Sequence, residues 1–189
     1  MRWMIASDIH GSALFCERMF ERYREEKAGR LILLGDLLYH GPRNDLPEGY
    51  DPKGVIALLN EYASELVCVR GNCEAEVDQM VLSFPVMADY ALLPVGSNVI
   101  YMTHGHHASE QNPPPLKKGD ILLCGHTHVP ANRVHDRFLY LNPGSVSIPK
   151  EGSCRSYMMF DGTRFTWNRL DNGEVYDMCG YSMDEVQHI

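Results

Sequence analysis

Seven short polar side chains in this sequence stand next to small residues, most of them directly after an apolar run: Asp8, His10, Asp36, Asn72, His104, His126 and His128. They fall in the phrases Asp8-Ile9-His10, Gly35-Asp36, Gly71-Asn72, Thr103-His104-Gly105 and Gly125-His126-Thr127-His128. Alternate residues of an extended segment point to one side, so Asp8/His10 and His126/His128 can each address a single cluster. The set holds four imidazoles, two carboxylates and one amide, with no thiolate required. Such donors suit Mn2+, Fe2+ or Zn2+; calcium prefers oxygen alone, and structural zinc prefers sulfur. A pair of divalent ions held this way is the working part of a hydrolase for phosphate esters.

Those side chains need elements to position them. Arg2–Ala6, Leu31–Leu34 and Leu66–Val69 read as buried strands, alternating with helical patterns over Ser12–Ala28 and Pro52–Ala63 and a short helix over Glu74–Leu82. Gly29 is expected to end the first helix. The second half reads as strands: Tyr90–Pro94, Asn98–Thr103, Ile121–Cys124, Ala131–Val134, Phe138–Leu141, Tyr157–Phe160 and Arg164–Arg169. Asp161-Gly162 is a hairpin turn signal. Each candidate ligand then follows a strand, where α/β sheets bind their ligands. Two long loops, Tyr39–Asp51 and His106–Gly119, begin shortly after candidate ligands and are expected to rim the same site. Asn142-Pro143-Gly144-Ser145 reads as a turn, and His40, His135 and His188 as surface residues.

The 189 residues suit one domain over 1–189, with two contacting sheets flanked by helices. A net charge of −8 argues against a stable nucleic-acid complex, which rests on clustered Lys and Arg. It leaves a phosphate substrate open, because bound metals bring their own positive charge. No apolar run approaches a membrane span, and the opening Met1–Ala6 reads as a strand rather than a signal peptide. The six cysteines form no Cys-x-x-Cys pair. Reduced thiols in a cytoplasmic protein are expected, mostly as small buried hydrophobes, with Cys73 the exception.

In the order Asp-x-His, Gly-Asp, Gly-Asn, His, Gly-His-x-His, the chain resembles the calcineurin-like metallophosphoesterase superfamily over about residues 1–160. Gly41-Pro42-Arg43-Asn44, Arg70-Gly71-Asn72-Cys73 and Asn142-Pro143-Gly144-Ser145 bring it nearest the small bacterial phosphodiesterases of that superfamily. The resemblance implies an α/β four-layer αββα sandwich of two mixed sheets. It implies two divalent ions, Mn2+ first, with Zn2+, Fe2+ or Ni2+ as alternatives. Asp8, His10, Asp36 and His128 would hold one ion; Asp36 would bridge, and Asn72, His104 and His126 would complete the other. Asp36 and Asn72 would thereby serve catalysis, with a hydroxide between the metals attacking phosphorus in line.

Many members carry His after Gly-Asn, where it is thought to protonate the leaving group. Here that residue is Cys73, a poorer acid, which predicts preference for good leaving groups or another donor. His106 and His107 are the nearby candidates. The protein-phosphatase pattern Gly-Asp-x-Val-Asp-Arg-Gly is replaced by Gly35-Asp36-Leu37-Leu38-Tyr39-His40-Gly41, which disfavours phosphoprotein substrates. Arg43 is a candidate phosphate contact, and Cys73 a candidate substrate contact. The expectation is a metal-dependent phosphodiesterase for small diesters, with a homo-oligomer open. The alternatives are a phosphomonoesterase or nucleotidase, and a non-catalytic protein-binding scaffold such as the retromer-subunit relatives.

Overall fold

The computed structural model describes residues 2–175 and the backbone of a two-residue strand, Tyr181–Ser182; Cys179 and His188 lie outside the described residues. Strand β1 (Trp3–Ala6) leads to helix α1 (Ala13–Glu25), β2 (Arg30–Leu33), α2 (Pro52–Glu61), a 3-10 turn at Ala63–Glu65, β3 (Leu66–Cys68) and α3 (Glu76–Val81). The β-rich half follows as β4 (Tyr90–Val95), β5 (Asn98–Thr103), β6 (Asp120–Leu123), β7 (Ala131–Val134), β8 (Phe138–Asn142), β9 (Ser156–Phe160), β10 (Arg164–Arg169) and β11 (Tyr181–Ser182).

Local chemistry explains the boundaries. Ser12 caps α1, its hydroxyl accepting from Phe15 N at 3.3 Å. The helix ends before the expected Gly29, because Lys27 takes the left-handed conformation at φ 51°. Lys27 N then donates to Arg24 O and Ala28 N to Tyr23 O, the paired bonds of a Schellman motif. Phe15, Cys16, Met19, Phe20 and Tyr23 form its buried stripe. Pro52 opens α2, where its missing N–H costs nothing. Helix α3 starts two residues later than expected, because Glu74 turns its side chain inward.

The strands form two mixed sheets in the orders β11-β10-β9-β1-β2-β3 and β4-β5-β6-β8-β7. In the first, β1, β2 and β3 are parallel; in the second, β5, β6 and β8 are parallel. Parallel strands deliver their C-terminal ends to one edge, so five of these six deliver a candidate ligand there. Between the sheets lies an apolar core with Ile5, Ile32, Ile121, Leu141, Phe165 and Trp167. A second core, with Met4, Leu31, Leu33, Phe20 and Leu59, packs the helices on the outer face of the first sheet. The outer face of the second sheet presents Leu122, Phe138 and Tyr140 and is covered by Leu116 of the 106–119 loop. Among the described residues, that outermost layer is a loop rather than helices.

Candidate metal centre

Backbone strain is concentrated at the strand ends. Asp8 (φ 60°), His10 (49°), Asp36 (55°), His126 (68°) and His128 (62°) all sit in the left-handed region. For residues other than glycine this costs on the order of 1–3 kcal/mol each and persists only where the surroundings over-determine it. Asp8 N donates to Gly35 O, His10 N to Asp36 O, and Gly125 N to His104 O, tying the turns together. Gly71 and Gly125 permit the approach. A Cβ on Gly71 would lie 2.2 Å from Asp36 Oδ1, and one on Gly125 would lie 2.0 Å from Ser7 Oγ.

Five of the seven ligands are anchored by one half and aimed by the other. His10 donates from Nδ1 to Tyr39 O (2.8 Å), His104 to Leu34 O (2.6 Å) and His128 to Ile148 O (2.6 Å). A carbonyl only accepts, so each ring carries a proton at Nδ1 and turns Nε2 inward. Asp8 accepts from His126 N through Oδ2 at 3.0 Å, and Asp36 accepts from Cys73 N through Oδ1 at 2.9 Å. Their other oxygens face the cleft. Asp36 Oδ2 lies 3.6 Å from His10 Nε2 and 3.4 Å from His104 Nε2, between two nests.

The first nest is Asp8, His10 and His128; the second is Asp36, His104 and His126. Asn72 joins the second, its Oδ1 3.1 Å from His104 Nε2. His10 Nε2 and His128 Nε2 face each other at 3.2 Å, and the buried Asp8 Oδ1 beside them has no hydrogen-bond partner. Two lone pairs at that distance repel unless a cation or a proton lies between them, and an orphaned buried carboxylate oxygen carries a desolvation cost. The donor set therefore fits divalent metal ions of the borderline class.

Electrostatics follows from the same packing. Burial opposes charge on His104, but the Asp36 hydrogen bond and the Asp8 and Asp36 charges lift its pKa to about 9. Burial likewise opposes ionisation of Asp8, yet the His10 contact and the neighbouring histidines hold it below the usual carboxylate range. His126 and His128 are lowered, mainly by burial. Burial, and then Asp36, push the Cys73 thiol up, so it keeps its proton. His106 is depressed to about 4 by burial and by His104, His107 and His126, and so is a neutral imidazole at pH 7.

The cleft over the two nests is lined by Arg43, Asn44, Asn72, Cys73 and Lys150. Arg43 is exposed and makes no salt bridge among the described residues. The Tyr39–Asp51 loop supplies Arg43 and the Tyr39 carbonyl, and the other long loop begins at His106, whose ring centre is 5.4 Å from that of His104. All seven sequence-derived ligands thus come together, with Cys73 and Arg43 on the cleft wall and His106 beside it. His107 packs at a tilt against His106, ring centres 4.0 Å apart, but is exposed.

Some parts of the site were not visible beforehand. Glu74, 4% exposed, accepts from the backbone N–H of Asp36, Leu37 and Gly71, clamping two ligand loops. Its position just after Gly71-Asn72-Cys73 is the only sequence signal for it. Lys150 carries no signal. Asn142-Pro143-Gly144-Ser145 is more than the turn expected: Ser145 and Ser147 donate to Asp8 O, and Asn142 donates to Gly125 O at 2.7 Å. The segment braces the Asp8 turn against the His126 turn. His40 and His135 lie at the surface, each partly exposed; His135 Nε2 pairs with Glu110 at 2.9 Å. Cys16, Cys68 and Cys124 are buried free thiols, as expected.

A two-sheet sandwich with an Asp/His cleft at its strand ends defines the metallophosphoesterase class. The chain belongs to the calcineurin-like phosphoesterase superfamily, whose domain description matches residues 1–164. It is 47% identical over 161 residues to phosphodiesterase YfcE of Escherichia coli K12, covering 85% of this chain and 88% of the relative. It is 26% identical to the probable metallophosphoesterase YsnB of Bacillus subtilis 168, covering 100% of this chain and 98% of the relative. The solved structure of the phosphoesterase YfcE from E. coli superposes with a TM-score of 0.92 at 42% identity, covering 97% of this chain and 100% of that one. Vacuolar protein sorting 29 of Cryptosporidium parvum shares the fold at a TM-score of 0.62 and 18% identity, over 96% of this chain and 97% of that one.

Proposed function

We infer that this chain is a divalent-metal-dependent phosphodiesterase for small diesters, acting as one domain over residues 1–189. The observation that carries the reading is the pair of nests with Asp36 Oδ2 between them, with imidazole Nε2 atoms turned inward and the buried Asp8 Oδ1 left without a hydrogen-bond partner. Asp8, His10, Asp36 and His128 would hold one ion, and Asp36, Asn72, His104 and His126 the other, with Mn2+ first and Zn2+, Fe2+ or Ni2+ as alternatives. When bound, the ions ionise a water at neutral pH and neutralise charge on the phosphoryl group.

The remaining work falls to the chain itself. Arg43 and Lys150 flank the cleft and attract and orient the anionic substrate. Asn72 keeps its amide oxygen at the His104 nitrogen while its Nδ2 donates to Cys73 Sγ at 3.2 Å. Cys73 presents a protonated thiol with little acidity to the substrate. His106, being neutral, offers a hydrogen bond to the departing oxygen rather than an imidazolium proton. Both features favour esters whose alcohols leave without protonation. The free thiols of Cys16, Cys68, Cys73 and Cys124 support a cytoplasmic setting.

The test is hydrolysis of an activated aryl phosphodiester beside the monoester of the same phenol, by the wild-type chain and Asp36→Ala. The diester should be preferred, and Asp36→Ala should lose activity by about a thousandfold or more at nearly unchanged far-UV circular dichroism. Preference for the monoester would move the assignment to a phosphomonoesterase or nucleotidase.

A further inference from the structure

Beside the metal cleft lies a second cavity of about 430 Å³, walled by the 105–111 and 124–133 segments. The two spaces share His126, so a substrate arm attached to phosphorus can pass from one into the other. The volume is in the range of small-ligand sites. No ligand of the metal nests other than His126 lines it, so the cavity is not needed to bind the ions.

The lining is chemically specific. Its innermost lining is Cys124, Ala131 and Tyr140, all nearly inaccessible. Its wall carries the Glu110 carboxylate, only 10% exposed and held by Arg133 Nη1 at 2.5 Å and His135 Nε2 at 2.9 Å. Arg133 in turn lies over the Tyr140 ring, 5.9 Å from its centroid. A carboxylate fixed in this way has lone pairs left to accept from hydroxyls, and a guanidinium with five N–H donors has others left to give. Paired acceptors and donors along one wall match the alternating hydroxyls of a carbohydrate. An alkyl arm would take water from those polar groups and offer no hydrogen bond in return. An arm ending in a second phosphate would meet Glu110 and Glu151 at like charge.

We propose that this cavity is the subsite for one ester arm of the substrate, and that the arm is an uncharged polyhydroxy alcohol: a sugar, a polyol or a ribose. The proposal rests on the phosphodiesterase reading and deepens it. Glu110 and Arg133 act as specificity residues, contacting the arm at a distance from phosphorus.

The experiment compares four 4-nitrophenyl phosphodiesters with the metal-loaded enzyme, so that the leaving group is constant. The second arm is methyl, glucose through O6, cyclohexylmethyl, or glucose through O6 with a phosphate at O1. The glucose arm should exceed the cyclohexylmethyl arm in kcat/KM by about tenfold or more, because a site built to bond hydroxyls rejects the analogue lacking them. The phosphorylated arm should be the poorest. Glu110→Gln should shrink the glucose-to-cyclohexylmethyl ratio by about tenfold and partly recover the phosphorylated arm. Equal rates for the glucose and cyclohexylmethyl arms in the wild-type chain would overturn the subsite, whatever the variant does. Absence of turnover on all four diesters, with metal bound, would instead overturn the phosphodiesterase reading, and the subsite with it.

Discussion

Replacing Gly125 by alanine tests whether close backbone packing sets the metal site. The new Cβ would lie 2.0 Å from Ser7 Oγ, 2.9 Å from Ser7 Cβ and 3.0 Å from Asp8 Oδ2. Ordinary contacts need about 3.5 Å, so the His126 turn and the Asp8 turn must separate by more than an ångström. Overpacking of this kind costs about 1–3 kcal/mol. For a chain of this size each kcal/mol lowers Tm by about 2–4 °C, giving a drop of about 2–12 °C. The separation also stretches the 3.0 Å bond from His126 N to Asp8 Oδ2, which positions a ligand in each nest. Loss of such a supporting contact weakens metal affinity about 10–100-fold. Ser7→Gly removes both Ser7 atoms from the clash but leaves the Asp8 contact. The double variant should therefore regain most of the thermal stability and only part of the affinity. The assays are thermal denaturation of the metal-stripped protein and a competitive Mn2+ titration. Wild-type Tm and affinity in Gly125→Ala, or no recovery with Ser7→Gly, would refute the steric argument.

The other expectations concern charge. Burial and the Asp36 charge raise Glu74 from 4.5 to about 7, so the metal-free fold is favoured by its protonated form. That contribution is complete below about pH 4.5 and is lost as pH rises through 7; Glu74→Gln should flatten this part of the stability–pH curve while weakening metal binding about 10–100-fold. With its pKa at about 9, His104 must give up a proton to bind metal. Affinity should therefore fall by up to about tenfold per pH unit below 9, and calorimetry in buffers of different ionisation heat should detect the released proton. Cys73→His should raise activity on the aryl monoester about tenfold or more by restoring an imidazole acid, and an unchanged rate would remove Cys73 from the leaving-group argument.

Much of the site was legible because its residues obey simple spacing rules. The seven ligands each follow an apolar strand, and alternation alone pairs Asp8 with His10 and His126 with His128. The strands were legible for the same reason: fully apolar runs such as Leu31–Leu33 have few other uses. What escaped was carried by tertiary contact. Glu74 looked like the start of a helix, and only the arrival of Asp36, Leu37 and Gly71 around it makes it a clamp. Asn142 and Ser145 read as a turn because their partners, Gly125 and Asp8, are remote in sequence. The end of α1 at Glu25 escapes the sequence because a lysine at position 27 carries no signal for left-handed backbone. Glu110 gave no hint of its cavity, since Arg133 and His135 reach it only after β7 folds back.

The most direct measurement is metal content against turnover in one preparation. The chain is stripped with a chelator, assayed on an activated aryl phosphodiester, then reloaded stepwise with Mn2+ while bound metal is counted. The geometry of the two nests predicts no turnover in the stripped chain, binding of two ions per chain, and activity that returns with the second ion. Undiminished hydrolysis by the metal-free chain, or full activity with a single ion bound, would contradict it.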